Sequence, residues 1–165
     1  ENVRGICARK IWLGGSGSGV MARRAIFDDV GLFDTNLRAA EDIDMWMRIA
    51  ARFPVDNVYE SLTALCFHGT GSFRNATLME ENQLKVYHKA IAAWPEIFDE
   101  PSRAKYLATI YADAGGELIG ARDNRKALAK YWLAYRTDPK HPQALKKVAQ
   151  LALHIVLKRK DKDLH

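Results

Sequence analysis

The spacing of apolar residues changes once along the chain, near residue 77. Before it, short stretches of different period follow one another. Residues 6–13 read as a strand, 14–19 as a Gly/Ser loop, 20–22 as a resumed extended run and 23–30 as a short helix before a Gly31-Leu32-Phe33-Asp34 turn. Residues 39–53 carry a helical period that stops before Pro54. Two short strands, 55–59 and 63–68, then lead into a loop over 69–75. From residue 78 onward only helical periods remain, over 79–93, 102–120, 122–136 and 141–158, broken at Trp94-Pro95 and Asp138-Pro139. The pattern predicts an α/β part over residues 1–77 and an all-α part over 78–165, mostly helical as a chain.

The second part carries an internal-repeat spacing. Tyr111, Gly115, Ala127, Tyr131, Ala134 and Pro139 stand at the relative positions of the aromatic, Gly, Ala, aromatic, Ala and Pro residues of a tetratricopeptide repeat, which this part resembles. Small residues at 115, 127 and 134 allow two antiparallel helices to approach, with Tyr131 filling the groove. A following helix over 142–156 is expected to turn Leu145, Val148, Ala149 and Ala152 inward. One and a half repeats leave an apolar face uncovered, so Leu84, Tyr87, Ile91 and Trp94, on one stripe of the preceding helix, are expected to pack against the first part. A generic helical hairpin accounts for the same spacing.

The helix over 39–53 is the segment richest in candidate chemistry. At 100° per residue, Ile43, Trp46, Ile49, Ala50 and Phe53 share one stripe, and Glu41, Asp44, Arg48 and Arg52 the other. Asp44 and Arg48 have the i,i+4 spacing of an ion pair. Asp42 falls within the apolar stripe. An inward carboxylate in the first turn is favoured as the anion by the helix N-terminus and suits a base that accepts a proton. Capping of the free amides at the helix start is the structural alternative.

Other candidates carry less. Gly17-x-Gly19-x-x-Ala22 matches the letters of a dinucleotide fingerprint, but the segment after it reads extended and the acid at the required distance lies in a helix. The loop Ser16-Gly17-Ser18-Gly19 instead offers backbone to a sugar or phosphate, or simply connects. Asp42-x-Asp44 spells a metal-binding D-x-D, yet residues two apart on a helix point about 200° from each other and cannot share an ion. Cys66 and His68 share a strand face with no third member of a nucleophilic site. The other histidines, 88, 141, 154 and 165, form no metal-ligand spacing.

Composition narrows the classes. The chain has 165 residues, 48% hydrophobic and 27% charged, which excludes a disordered or collagen-like chain. Residues 1–77 hold nine basic and nine acidic side chains, so the whole net charge of +5 lies in the second part. No stacking aromatics accompany the interleaved charges of 158–163, and nucleic acid is not an expected partner. A basic, amphipathic last helix does offer a contact for anionic lipid or a protein. Two cysteines without a C-x-x-C fit a reducing, cytoplasmic setting, with peripheral membrane contact as its extension. The chain opens at Glu1 directly in patterned sequence, as expected of a fragment.

Three stretches in order resemble a known family: Ser16-Gly17-Ser18-Gly19-Val20-Met21-Ala22-Arg23-Arg24, then Val30-Gly31-Leu32-Phe33-Asp34, then Glu41-Asp42-Ile43-Asp44-Met45-Trp46-Met47-Arg48. Together they are similar to the C-terminal part of a family 2 glycosyltransferase catalytic domain, of the inverting GT-A type. The resemblance spans about residues 12–75. It implies transfer of a sugar from a nucleotide-sugar to a glycan, lipid-linked or protein hydroxyl, with Asp42 as general base. It also implies that Glu41, Ser16, Gly17, Ser18 and Gly19 touch substrate and that His68 reaches a Mn²⁺ or Mg²⁺ ion. The family's nucleotide-binding half, with its strand-end D-x-D, has no counterpart here, so the metal is expected mainly on residues outside this chain. By the same comparison the fragment alone is expected to be inactive. The rival reading is a helical protein-interaction module without catalysis.

Overall fold

The computed structural model describes residues 19–64 and 75–163, with side chains to Lys158. Among these residues there are six helices and no strand: α1 (Ile26–Val30), α2 (Glu41–Arg52), α3 (Ala76–Ala93), α4 (Glu100–Gly120), α5 (Asn124–Thr137) and α6 (Ala144–Asp163). The mostly helical class is as expected. Nothing in the described residues displays the α/β architecture.

The strand expected at 55–59 is absent, and so is the described start of the one expected at 63–68. β-branched and aromatic residues make a strand only where a neighbouring strand completes the ladder. Here no such neighbour is described, and Val58, Tyr59 and Leu62 stand 69%, 93% and 72% exposed. The expected strand at 6–13 lies outside the described residues.

The helix ends follow local chemistry. The side chains of Asn75, Asp99 and Asp123 each accept a hydrogen bond from the amide three residues on, starting α3, α4 and α5. Pro101 sits in the first turn of α4, where no intrahelical donor is lost. α4 ends with Arg122 in the left-handed region (φ 62°). There Asp123 N donates to Leu118 O and Arg122 N to Ile119 O, the pairing of a Schellman stop. This tight reversal sets α5 antiparallel on α4.

Two cores meet on α4. One joins Leu37, Ala40, Met47 and Ala50 to Val86, Tyr87, Ala90, Phe98, Tyr106 and Ile110, with Leu84, Ile91 and Trp94 packed against it. The first helix after residue 77 is thus packed on the preceding part, as its apolar stripe predicts. The other core joins Ala108 and Ala112 of α4 to Ala127, Tyr131, Ala134, Ala144 and Leu151. Gly115 is demanded by that packing, since a Cβ there would lie 2.8 Å from the Tyr131 ring. The buried side of α6 is a correction. Ala144, Val148 and Leu151 face inward, whereas Leu145 is 55% exposed and Ala149 is exposed. Two fully buried alanines, Ala134 and Ala144, bring the backbones of α5 and α6 close and rotate α6 by a quarter turn from the expected stripe.

Candidate functional site

α2 is covered on two sides, and this decides the fate of its acids. Met47 and Ala50 face the core shared with α3 and α4. Met45, Trp46 and Ile49 face a smaller cluster with Val20, Ile26, Phe27, Val30 and Phe53. A single apolar stripe was therefore too narrow a description.

Asp44, placed on the polar side by its wheel position, is only 4% exposed. It pairs with Arg48 Nε at 3.1 Å and with Lys89 Nζ at 2.7 Å. Lys89 also reaches Asp34 at 2.7 Å. Burial works to lower the Lys89 pKa, but its hydrogen bonds to Asp34 and Asp44 outweigh burial and raise it. The bond from Lys89, aided by the Asn36 amide, holds the Asp34 carboxyl at about 2.

Arg48 ties the turn to the helix. Its Nη1 donates to Val30 O and its Nη2 to Leu32 O at 2.9 Å, while its Nε engages Asp44. The planar fork spreads the three contacts over three nitrogens, where an ammonium would have to reach all three acceptors from one. Gly31, between the two bonded carbonyls, has φ 77°, a backbone shape that disfavours a side chain. Phe33 meets Trp46 edge-on at 6.1 Å. The Val30–Asp34 turn and the Glu41–Arg48 helix segment are thus one packed unit. The Trp46 Nε1 donor is buried within it and has no acceptor among the described residues.

At the open end of this unit lie Glu41, exposed, and Asp42, half-buried. Asp42 Oδ1 accepts from the Ile43 amide at 2.8 Å, so this side chain does satisfy one free amide of the first turn. Its Oδ2 has no partner among the described residues. The residue before the helix is Ala40, buried and left-handed at φ 58° with no side-chain cap. A non-glycine residue held there costs about 1–2 kcal/mol, and strain of this kind gathers where backbone geometry serves a site.

Of the other expected site residues, Gly19 is exposed, and Ser16, Gly17, Ser18 and His68 lie outside the described residues. No group of three or more His, Cys, Asp or Glu that could hold a metal ion occurs among the described residues. Sequence reasoning missed Lys89 as the cation shared by Asp44 and Asp34. Lys89 lies 45 residues away on another helix, and no local period announces such a pairing.

No protein-family model matches the chain, and neither a curated protein nor a solved structure matches it.

Proposed function

We infer that this chain is the acceptor-side part of an inverting glycosyltransferase, with Asp42 as general base. The supporting observation is the division of labour on α2. Asp44 is consumed by Arg48 and Lys89, and Arg48 clamps the preceding turn, while Asp42 keeps one carboxylate oxygen without a described partner at the helix N-terminus. A general base needs a carboxylate oxygen that the acceptor can reach, and among the acids of this helix Asp42 and Glu41 offer one.

In the reaction, the acceptor hydroxyl oxygen attacks the anomeric carbon and forms the new glycosidic bond. The bond from that carbon to the diphosphate breaks, and its electron pair leaves with the nucleotide. The hydroxyl proton passes to Asp42. The inferred substrates are a nucleotide-sugar donor and a glycan, lipid-linked or protein acceptor. The resemblance also implies Mn²⁺ or Mg²⁺, but the described acids do not assemble into a ligand group, so no step is routed through a metal.

The test is Asp42→Asn in the full-length protein, assayed by transfer from labelled nucleotide-sugars. Transfer should be lost while donor binding is kept, because the base acts on the acceptor. Turnover retained within about tenfold, only ~1.4 kcal/mol of barrier, would refute the assignment. The alternative reading, an interaction module, draws on the exposed apolar residues of α6, Leu145, Leu153, Val156 and Leu157.

A further inference from the structure

α6 has more apolar surface than its packing uses. Its inward residues Ala144, Val148 and Leu151 lie in the core formed with α4 and α5. Leu145, Leu153, Val156 and Leu157 stand 55%, 60%, 53% and 52% exposed, and Ala149 is exposed with them. At 100° per residue, Leu145, Ala149, Leu153 and Val156 fall within an arc of about 80°, centred about 130° from the inward face. A helix that packs on one side needs one apolar face. This one carries two, and a contiguous exposed stripe marks a surface that meets something other than water.

The charge on the last two helices has one sign. Residues 124–137 and 144–158 carry seven basic side chains and no acidic one. Lys126 and Lys130 are paired with Asp123 and Glu80. The other five, Arg125, Arg136, Lys146, Lys147 and Lys158, form no ion pair among the described residues. On the wheel Lys146 falls between Leu153 and Leu157, at the border of the outward stripe, and it is exposed. Cation and apolar stripe together narrow the partner. Nucleic acid takes the cations but stacks its bases on aromatic faces, whereas this stripe is aliphatic. An anionic bilayer takes both, because acyl chains accept the leucines while headgroups accept an ammonium at the end of an apolar stem.

We propose that the outward face of α6 docks on an anionic lipid surface. The helix lies along the membrane, with Leu145, Ala149, Leu153 and Val156 turned into the interface and Lys146 against the headgroups. The remaining cations of α5 and α6 add a longer-range attraction that salt screens. The helix rests on the bilayer and does not cross it, since no helix among the described residues is long and apolar enough to do so. This surface is independent of the glycosyltransferase reading, because α6 carries none of the residues assigned to that site.

The experiment is co-sedimentation of the chain with vesicles of phosphatidylcholine alone or of phosphatidylcholine mixed with phosphatidylserine. Binding to the mixed vesicles is expected, weakened by added salt, and about tenfold or more weaker on phosphatidylcholine alone. The double variant Leu145→Gln with Leu153→Gln should lower binding by about tenfold or more while keeping the melting temperature, read by circular dichroism, because both side chains are exposed. Lys146→Glu should weaken binding to the mixed vesicles only. Val58→Gln with Tyr59→Gln removes apolar groups that are exposed elsewhere and should leave binding unchanged. The proposal is overturned if the mixed vesicles do not bind the chain, if both vesicle types bind it equally, or if the leucine variant binds as the wild type does. It is also overturned if the Val58 and Tyr59 changes weaken binding as much as the leucine changes do. Displacement from the vesicles by polyglutamate, with polyglutamate binding untouched by the leucine changes, would assign the cations to an acidic polypeptide and overturn it as well.

Discussion

Asp44 is nearly inaccessible to water yet carries two cationic partners, one of which, Lys89, is 43% exposed along its side chain. Removing the charge of Asp44 would leave Lys89 and Arg48 facing a neutral amide. Asp44→Asn should cost about 2–3 kcal/mol in urea denaturation, less than the ~3–5 kcal/mol of a fully buried pair because solvent screens Lys89. Asp42→Asn should cost under ~1 kcal/mol, because an Asn side chain still accepts from the Ile43 amide. Equal losses at both positions would contradict this division of roles. Asp34 adds a pH signature to the same network. Its folded pKa of about 2 lies below the ordinary 3.8, so the unfolded chain binds more protons between those values. Its contribution is present above 3.8 and is lost as pH falls toward 2. Asp34→Asn should flatten the stability curve in that window, as read by denaturation at a series of acidic pH values.

At the scale of the element, two adjacent glycines of α4 offer a sign test. Gly115→Ala drives a methyl to 2.8 Å from the Tyr131 ring and should destabilise by about 1–3 kcal/mol. Gly116→Ala meets only ordinary contact and should stabilise by up to about 1 kcal/mol, so thermal melts of the two variants should move in opposite directions. Glu117→Gln should also stabilise at neutral pH. The raised Glu117 pKa means that the folded state binds more protons than the unfolded one, so its carboxylate costs stability above the folded pKa and the gain fades in acid. The role of Gly115 was legible in the repeat spacing, whereas the caps at Asn75 and Asp99 lie ahead of the expected helix starts at 79 and 102, and Asp123 lies just inside the one expected at 122. The burial of Asp44 was not legible, because the wheel grades a residue by its own helix and Lys89 arrives from another. Nor was the rotation of α6. Leucines mark an apolar face, but Ala134 and Ala144 set how closely the helices approach, and small residues weigh little in such a pattern. The missing strand over 55–59 had the right residue types and lacked a described neighbour to pair with. Asp42 was found as a candidate by its direction, and the capping weighed beside that role was legible too: its Oδ1 accepts from Ile43 N.

Across the whole molecule, the change of pattern at residue 77 does not divide the hydrophobic core. Met47 and Ala50 lie in one cluster with Val86, Phe98 and Tyr106, and the Tyr106 hydroxyl sits 3.9 Å from Met47 Sδ. α4 then carries Tyr106 and Ile110 into that cluster and Ala108 and Ala112 into the one formed with α5 and α6. A helix that lends alternate faces to two cores cannot lose one face without freeing the other. Residues 19–64 and 75–158 should therefore unfold in one transition. Tryptophans stand at informative places for the test: Trp46 is buried at the far side of α2, and Trp132 is 49% exposed on α5. Variants retaining only Trp46 or only Trp132, with the other tryptophans changed to Phe, should give different fluorescence amplitudes. Each variant's midpoint should agree with its own far-ultraviolet circular dichroism, because coincident probes mark a cooperative unit. A Trp132 transition displaced from the loss of helix in the same variant would show that α5 and α6 melt separately. In that case α4 would be a junction between two folding units rather than the element that joins them.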